Sequence, residues 1–123
     1  MAPRILVVDD DAPVRRALGR LLRAAGYDVA LFTSAEEYLA REPAELPACL
    51  VLDMRMPGMG GLELQRVVVG TPQPLPIVFV TGHADEEARA QALGAGAIAV
   101  LQKPLDETTL LDAIRTALEP PSP

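Results

Sequence analysis

Residues 5–11 read I-L-V-V-D-D-D, four consecutive aliphatic residues that stop at three aspartates. An apolar run of this length is typical of a strand that is buried on both faces of a parallel sheet. An alternating apolar segment at 27–31 predicts a second strand. Three further apolar runs, each followed by a polar residue, predict the remaining strands at 50–52, 77–80 and 98–101.

Helical periodicity fills the intervals between these strands. After Asp11, a predicted N-cap, apolar residues recur at helical spacing until Gly26. Ser34 and Asp106 are predicted to begin two later helices, and the remaining two lie at 62–69 and 85–93. Five strands alternating with five helices predict an α/β fold, a doubly wound parallel sheet covered by helices on both faces.

The composition limits the possible functions. With 123 residues and 50% hydrophobic content, the chain predicts one domain over residues 1–119, and P-P-S-P at 120–123 is interpreted as the start of a linker or simply a chain end. The net charge of −6 argues against direct binding of nucleic acid. No apolar run is long enough to span a membrane, and Cys49 has no disulfide partner. We therefore expect a soluble, cytoplasmic protein with Cys49 buried.

The polar residues that follow the predicted strands identify a candidate site. Asp9 and Asp10 follow the first strand, and the third, fourth and fifth strands lead to Asp53, Thr81 and Lys103. Ligands bind outside the carboxyl ends of parallel strands, so we expect these residues to meet at one edge of the sheet.

Carboxylates gathered at one place repel each other, and a nearby cation relieves that repulsion. Lys103 supplies one positive charge. Mg²⁺, with Mn²⁺ as a substitute, suits the remaining oxygen ligands. A metal, a carboxylate, a hydroxyl and an ammonium group together favour phosphoryl transfer, with Asp53 as the nucleophile.

In this arrangement the sequence resembles the receiver domain of two-component response regulators. The matching segments are V-V-D-D-D at 7–11, V-L-D-M-R-M-P-G-M-G-G at 51–61, V-T-G-H at 80–83, G-A at 96–97 and L-Q-K-P-L at 101–105. The resemblance covers residues 4 to about 118. It implies a flavodoxin-like five-stranded sheet of order 2-1-3-4-5 and a signalling switch rather than a turnover enzyme.

The resemblance also implies a role for each matched residue. Asp53 corresponds to the phosphoacceptor, Thr81 to the switch hydroxyl and Lys103 to the family's lysine, which precedes a cis proline. Asp9, Asp10, Asp53 and the backbone carbonyl of Arg55 correspond to the Mg²⁺ ligands.

The implied partners are a sensor histidine kinase as phosphoryl donor and an output domain or downstream protein. Within the family, the segments at 51–61 and 81–85 look most like receivers fused to helix-turn-helix DNA-binding domains in a longer chain. A phosphorylation-dependent homodimer is a further expectation.

Two positions are predicted to modulate the switch. Many receivers carry Tyr, Phe or Trp three residues before the lysine, where this chain has Val100. A valine has no ring to rotate, so we expect no aromatic switch, and Phe79 on the neighbouring strand is expected in the core. His83 is interpreted either as a residue that tunes phosphate lifetime or as a solvated loop residue.

Other classes of α/β protein require residues that this chain lacks at the corresponding positions. A phosphatase of the haloacid dehalogenase type needs an acid two residues after its nucleophile, where this chain has Arg55. A flavin binder would require a hydroxyl-rich phosphate loop, and a dinucleotide enzyme a glycine-rich one, in place of the aspartates at 9–11. A pseudo-receiver, which keeps the fold as an unphosphorylated docking module, is the remaining alternative.

Overall fold

The computed structural model describes residues 2–41, 49–71, 75–82 and 85–119. Its strands are β1 (Arg4–Val8), β2 (Asp28–Phe32), β3 (Cys49–Asp53), β4 (Ile77–Thr81) and β5 (Ala99–Gln102). Its helices are α1 (Ala12–Ala24), α2 (Ala35–Leu39), α3 (Gly61–Val69), α4 (Glu86–Gly94) and α5 (Glu107–Leu118). His83 and the tail at 120–123 lie outside the described residues.

All five strands are parallel and lie in the order β2-β1-β3-β4-β5, which confirms the predicted fold. The central strands β3 and β4 are buried along their whole length. This explains why they appear in the sequence as continuous apolar runs and not as alternating patterns.

The two faces of the sheet carry separate hydrophobic cores. One core contains Phe79 and Leu64, and the other contains Val78 and Ile114 beneath α1 and α5. Cys49 is a free, buried thiol in the second core, and Phe79 is fully buried, as predicted for both. None of the described helices combines the length and the apolar character that crossing a membrane requires.

Most of the predicted helix boundaries are confirmed. The Asp11, Ser34 and Asp106 side chains accept backbone N–H bonds at the starts of α1, α2 and α5. Gly26 adopts a φ of 97° just after α1, a conformation that glycine tolerates without strain. The fifth strand begins one residue later than expected, at Ala99. Ile98 instead donates its N–H to Ile77 O and stays partly exposed in the turn.

Gly61 holds the loop after β3 close to the strand that carries Asp53. Its N–H donates to Met54 O at 3.0 Å. A Cβ atom at this position would overlap Asp53 O and would lie 2.9 Å from Met54 Cα. Both obstacles are backbone, which cannot move aside as a flexible side chain can.

We predict that Gly61→Ala lowers the free energy of unfolding by about 1–3 kcal/mol, because the new methyl group displaces the backbone beside Asp53. Gly94→Ala is the matched control, since a Cβ at this last residue of α4 meets nothing within 4 Å. We expect that control to be neutral or to stabilise the protein by up to about 1 kcal/mol. Urea unfolding of both variants measures the difference, and equal stabilities would contradict the close approach.

Candidate phosphoacceptor and metal site

The carboxyl ends of the strands bring the predicted residues to one edge of the sheet. Asp9 follows β1, Asp53 ends β3, Thr81 ends β4 and Lys103 follows β5. The pairing of β3 with β4 places Asp53 beside Val80, one residue before Thr81. The Lys103 N–H donates to Thr81 O at 2.8 Å, which ties the loop after β5 to the end of β4.

Asp9 is completely buried, and neighbouring elements hold it in place. Its Oδ1 accepts the Asp11 N–H at 2.9 Å, and its backbone carbonyl accepts a hydrogen bond from Arg15 Nη1 at 2.8 Å. Its other carboxylate oxygen, Oδ2, is buried and has no hydrogen-bond partner among the described residues. Lys103 Nζ lies 3.1 Å from Oδ2, close enough for an ion pair but without hydrogen-bond geometry.

Lys103 places its ammonium group between two carboxylates. Besides its contact with Asp9, Nζ lies 3.7 Å from Asp53 Oδ2, and the side chain is mostly buried. The peptide bond between Lys103 and Pro104 is cis, as the family resemblance implies. One ammonium group cannot neutralise both buried carboxylates and the nearby Asp10.

Asp53 shows the electrostatic consequence of this crowding. Burial is the main cause that raises the pKa of Asp53 to about 7, and the neighbouring Asp9 charge is the second cause. The Lys103 ammonium and the Arg55 N–H, which lies 3.4 Å from Asp53 Oδ1, oppose the increase. The site therefore stabilises ionised Asp53 poorly unless more positive charge is supplied.

The donor set fits a divalent cation. Asp9, Asp10 and Asp53 each offer a carboxylate oxygen, and these three oxygens lie within 4.8 Å of one another. Asp9 and Asp53 are buried and Asp10 is exposed, so one side of the cluster is open to water. The unsatisfied Oδ2 of Asp9 is independent support, since buried polar atoms normally have partners. Three carboxylates with an open side suit Mg²⁺, which keeps several waters.

Two further residues singled out in the sequence, Thr81 and Val100, lie in β4 and β5. Thr81 is buried at the end of β4, on the same edge as Asp53. Val100 is buried in β5, and its carbonyl accepts a hydrogen bond from Arg89 Nη1 at 3.0 Å. The predicted role of the Arg55 carbonyl as a metal ligand stays a prediction, as does the modulating role of His83.

The contacts made by three residues near the site were not predicted from the sequence. Arg15 secures the Asp9 carbonyl. Glu36 on α2 accepts the Met59 N–H at 3.2 Å and so steadies the loop after β3. Asp85 forms an ion pair with Arg55. Each contact joins residues from different elements or turns, and charged residues on helices are usually solvated, so no local pattern indicated these roles.

Comparisons with known proteins agree with this geometry. Residues 5–115 match the response regulator receiver domain family. The response regulator protein TmoT of Ectopseudomonas mendocina is 44% identical over 94% of this chain, which covers 52% of TmoT. The transcriptional regulatory protein FixJ of Bradyrhizobium diazoefficiens is 38% identical over 97% of the chain, which covers 58% of FixJ.

A solved structure agrees as well. The response regulator StyR superposes with a TM-score of 0.87 at 47% identity, over 96% of this chain and 60% of StyR. The chain thus spans little more than half the length of TmoT, FixJ and StyR. The role of the matched family is signalling and not turnover of a substrate. The chain therefore belongs to the receiver-domain family of two-component response regulators.

Proposed function

We propose that this domain is a phosphorylation-dependent signalling switch that accepts a phosphoryl group on Asp53 from a sensor histidine kinase. The observation that carries the proposal is the buried carboxylate of Asp53, which lies 3.7 Å from Lys103 Nζ within a cluster of three aspartates suited to a cation. A helix cap or a structural ion pair would not require three clustered carboxylates, two of which share one ammonium group.

The transfer is a displacement at phosphorus. A carboxylate oxygen of Asp53 donates an electron pair to the phosphorus of a phosphohistidine, and a new O–P bond forms. The N–P bond breaks, and the imidazole nitrogen keeps its electron pair. Hydrolysis later reverses the modification: water attacks phosphorus, the acyl phosphate bond breaks, and Asp53 and inorganic phosphate are released.

The residues around Asp53 have distinct roles in this proposal. Asp9, Asp10 and Asp53, with the Arg55 carbonyl as a further ligand, hold the metal. Bound Mg²⁺ neutralises charge on the phosphoryl oxygens as a Lewis acid. Lys103 contacts one phosphoryl oxygen with its ammonium group, and the Thr81 hydroxyl donates a hydrogen bond to another.

The downstream consequences are also part of the proposal. We infer a conformational change that reaches an output domain or partner protein. The relatives' greater length and the name of FixJ favour transcriptional regulation by a DNA-binding domain in a longer parent chain. We further propose that the receiver domain spans residues 1–119, that the protein is cytoplasmic and that phosphorylation promotes a homodimer.

Asp53 is the predicted phosphoryl acceptor. With acetyl phosphate and Mg²⁺, we expect the chain to gain the mass of one phosphoryl group, measured by intact-mass spectrometry. Asp53→Asn and addition of a chelator should each abolish the gain, because the nucleophile or the metal is missing. Asp112→Asn, which changes an exposed aspartate of α5, should retain it.

The outcome separates the competing functions. A gain in Asp53→Asn would show that Asp53 is not the sole acceptor. No gain with acetyl phosphate or with a panel of phosphorylated sensor kinases would favour the pseudo-receiver.

The stability of the protein should depend on pH through Asp53. When a chelator removes divalent cations, we expect Asp53→Asn to be more stable than the parent at about pH 7.5. Its melting temperature should be higher by about 4 °C or more. In the folded state Asp53 keeps its proton to about pH 7, whereas the unfolded carboxyl ionises near the ordinary aspartate pKa of 3.8. The parent therefore loses stability as the pH rises from about 4 to about 7. The gap between the two proteins should widen over that window.

Mg²⁺ provides the control for this prediction. At about pH 7.5 it should raise the melting temperature of the parent more than that of Asp53→Asn, because binding of the cation relieves the repulsion. Thermal unfolding with and without Mg²⁺ measures both effects. A gap between the proteins that is independent of pH would contradict the raised pKa of Asp53.

A further inference from the structure

An ion pair joins the loop after β3 to the start of α4. Arg55 Nη2 lies 3.3 Å from Asp85 Oδ2, although the two residues are 30 positions apart in the chain. Arg55 is two residues after Asp53, and its backbone N–H contacts the Asp53 carboxylate. The Arg55 side chain therefore contacts Asp85, a carboxylate outside the candidate metal cluster.

Asp85 uses its two oxygens for different purposes. While Oδ2 faces Arg55, Oδ1 accepts the Ala88 N–H at 2.7 Å and caps α4. A change in the position of Arg55 therefore acts on the residue that begins α4. Asp106 caps α5 in the same way, since its Oδ2 accepts the Thr109 N–H at 2.9 Å. Unlike Asp85, it forms no ion pair with an arginine among the described residues.

Helix α4 buries little apolar surface and is also attached by polar contacts. Of its nine residues, all of them described, only Ala92 is buried. Gln65 Nε2 donates to Ala92 O at 2.9 Å, and Arg89 reaches the carbonyl of Val100. A helix with so little apolar burial is sensitive to the loss of one polar contact.

We propose that Asp85 is the resting counter-ion of Arg55, and that phosphorylation of Asp53 transfers Arg55 from Asp85 to the phosphoryl group. This inference rests on the function proposed above. A phosphoryl group carries a charge of about −1.5 to −2, larger than that of the Asp85 carboxylate. A guanidinium group also matches phosphoryl oxygens bidentately. Loss of the ion pair then loosens the start of α4.

The exposure of the pair suits a reversible exchange. The Arg55 and Asp85 side chains are 59% and 57% exposed, so solvent screens their attraction and either residue can leave at low cost. Release of Arg55 before the reaction should then accelerate phosphorylation by about two- to five-fold, the range that exposed ion pairs support.

Asp85→Ser tests the proposal because serine retains an N-cap oxygen while removing the negative charge. We expect its phosphorylation by acetyl phosphate and Mg²⁺, followed by intact mass over time, to be about two- to five-fold faster than that of the parent. The difference should shrink as the salt concentration rises. Asp106→Ser, the same exchange at the start of α5, should react at the parental rate.

The double variant Arg55→Gln/Asp85→Ser separates the ion pair from the charge of Asp85 alone. If Asp85 acts by restraining Arg55, the double variant should react at the rate of Arg55→Gln. An acceleration that persists without Arg55, or an Asp85→Ser rate equal to that of the parent, would overturn the inference while the proposed function stands. Absence of phosphorylation in every variant, the parent included, would overturn both.

Discussion

The burial of two aspartates beside one lysine at the carboxyl edge of the sheet is the constraint on which the site depends. Asp9 and Asp53 are both buried at this edge with the Lys103 ammonium group beside them, and a single ammonium group cannot satisfy both. Burial, with the neighbouring Asp9 charge as the second cause, raises the pKa of Asp53 to about 7. Asp9 Oδ2 is buried without a hydrogen-bond partner among the described residues. A divalent cation held by this cluster would offset both penalties.

The fold maintains this unfavourable cluster through rigid neighbours. Both central strands are buried, so Asp53 is fixed by an apolar sheet that has two cores. Gly61 allows the following loop to approach Asp53 closely, and Arg15 and Asp11 orient Asp9. Stability is thus concentrated in the sheet, and the charged groups at its edge are positioned without contributing much to it.

Helix α4, in contrast to the buried central strands, is mostly exposed. It buries only one residue and is attached through Arg55, Gln65 and Arg89. Val100 occupies the position at which many receivers have an aromatic ring, and here its backbone carbonyl contacts α4. The contacts that join α4 to the loop after β3, to α3 and to β5 are therefore made by charged and polar groups, and the strength of such contacts varies with salt and neighbouring charge.

The sequence by itself determined the order of the elements, the two-sided burial of the sheet and the positions of Asp9, Asp10, Asp53, Thr81 and Lys103. These features are encoded locally, in apolar runs that end at polar residues, and parallel strands place such ends at one edge. Only the tertiary structure decided which groups meet across elements, such as Arg55 with Asp85, Glu36 with Met59 and Arg89 with Val100. Long charged side chains can point in many directions, and the selection among partners depends on distances that no local pattern records.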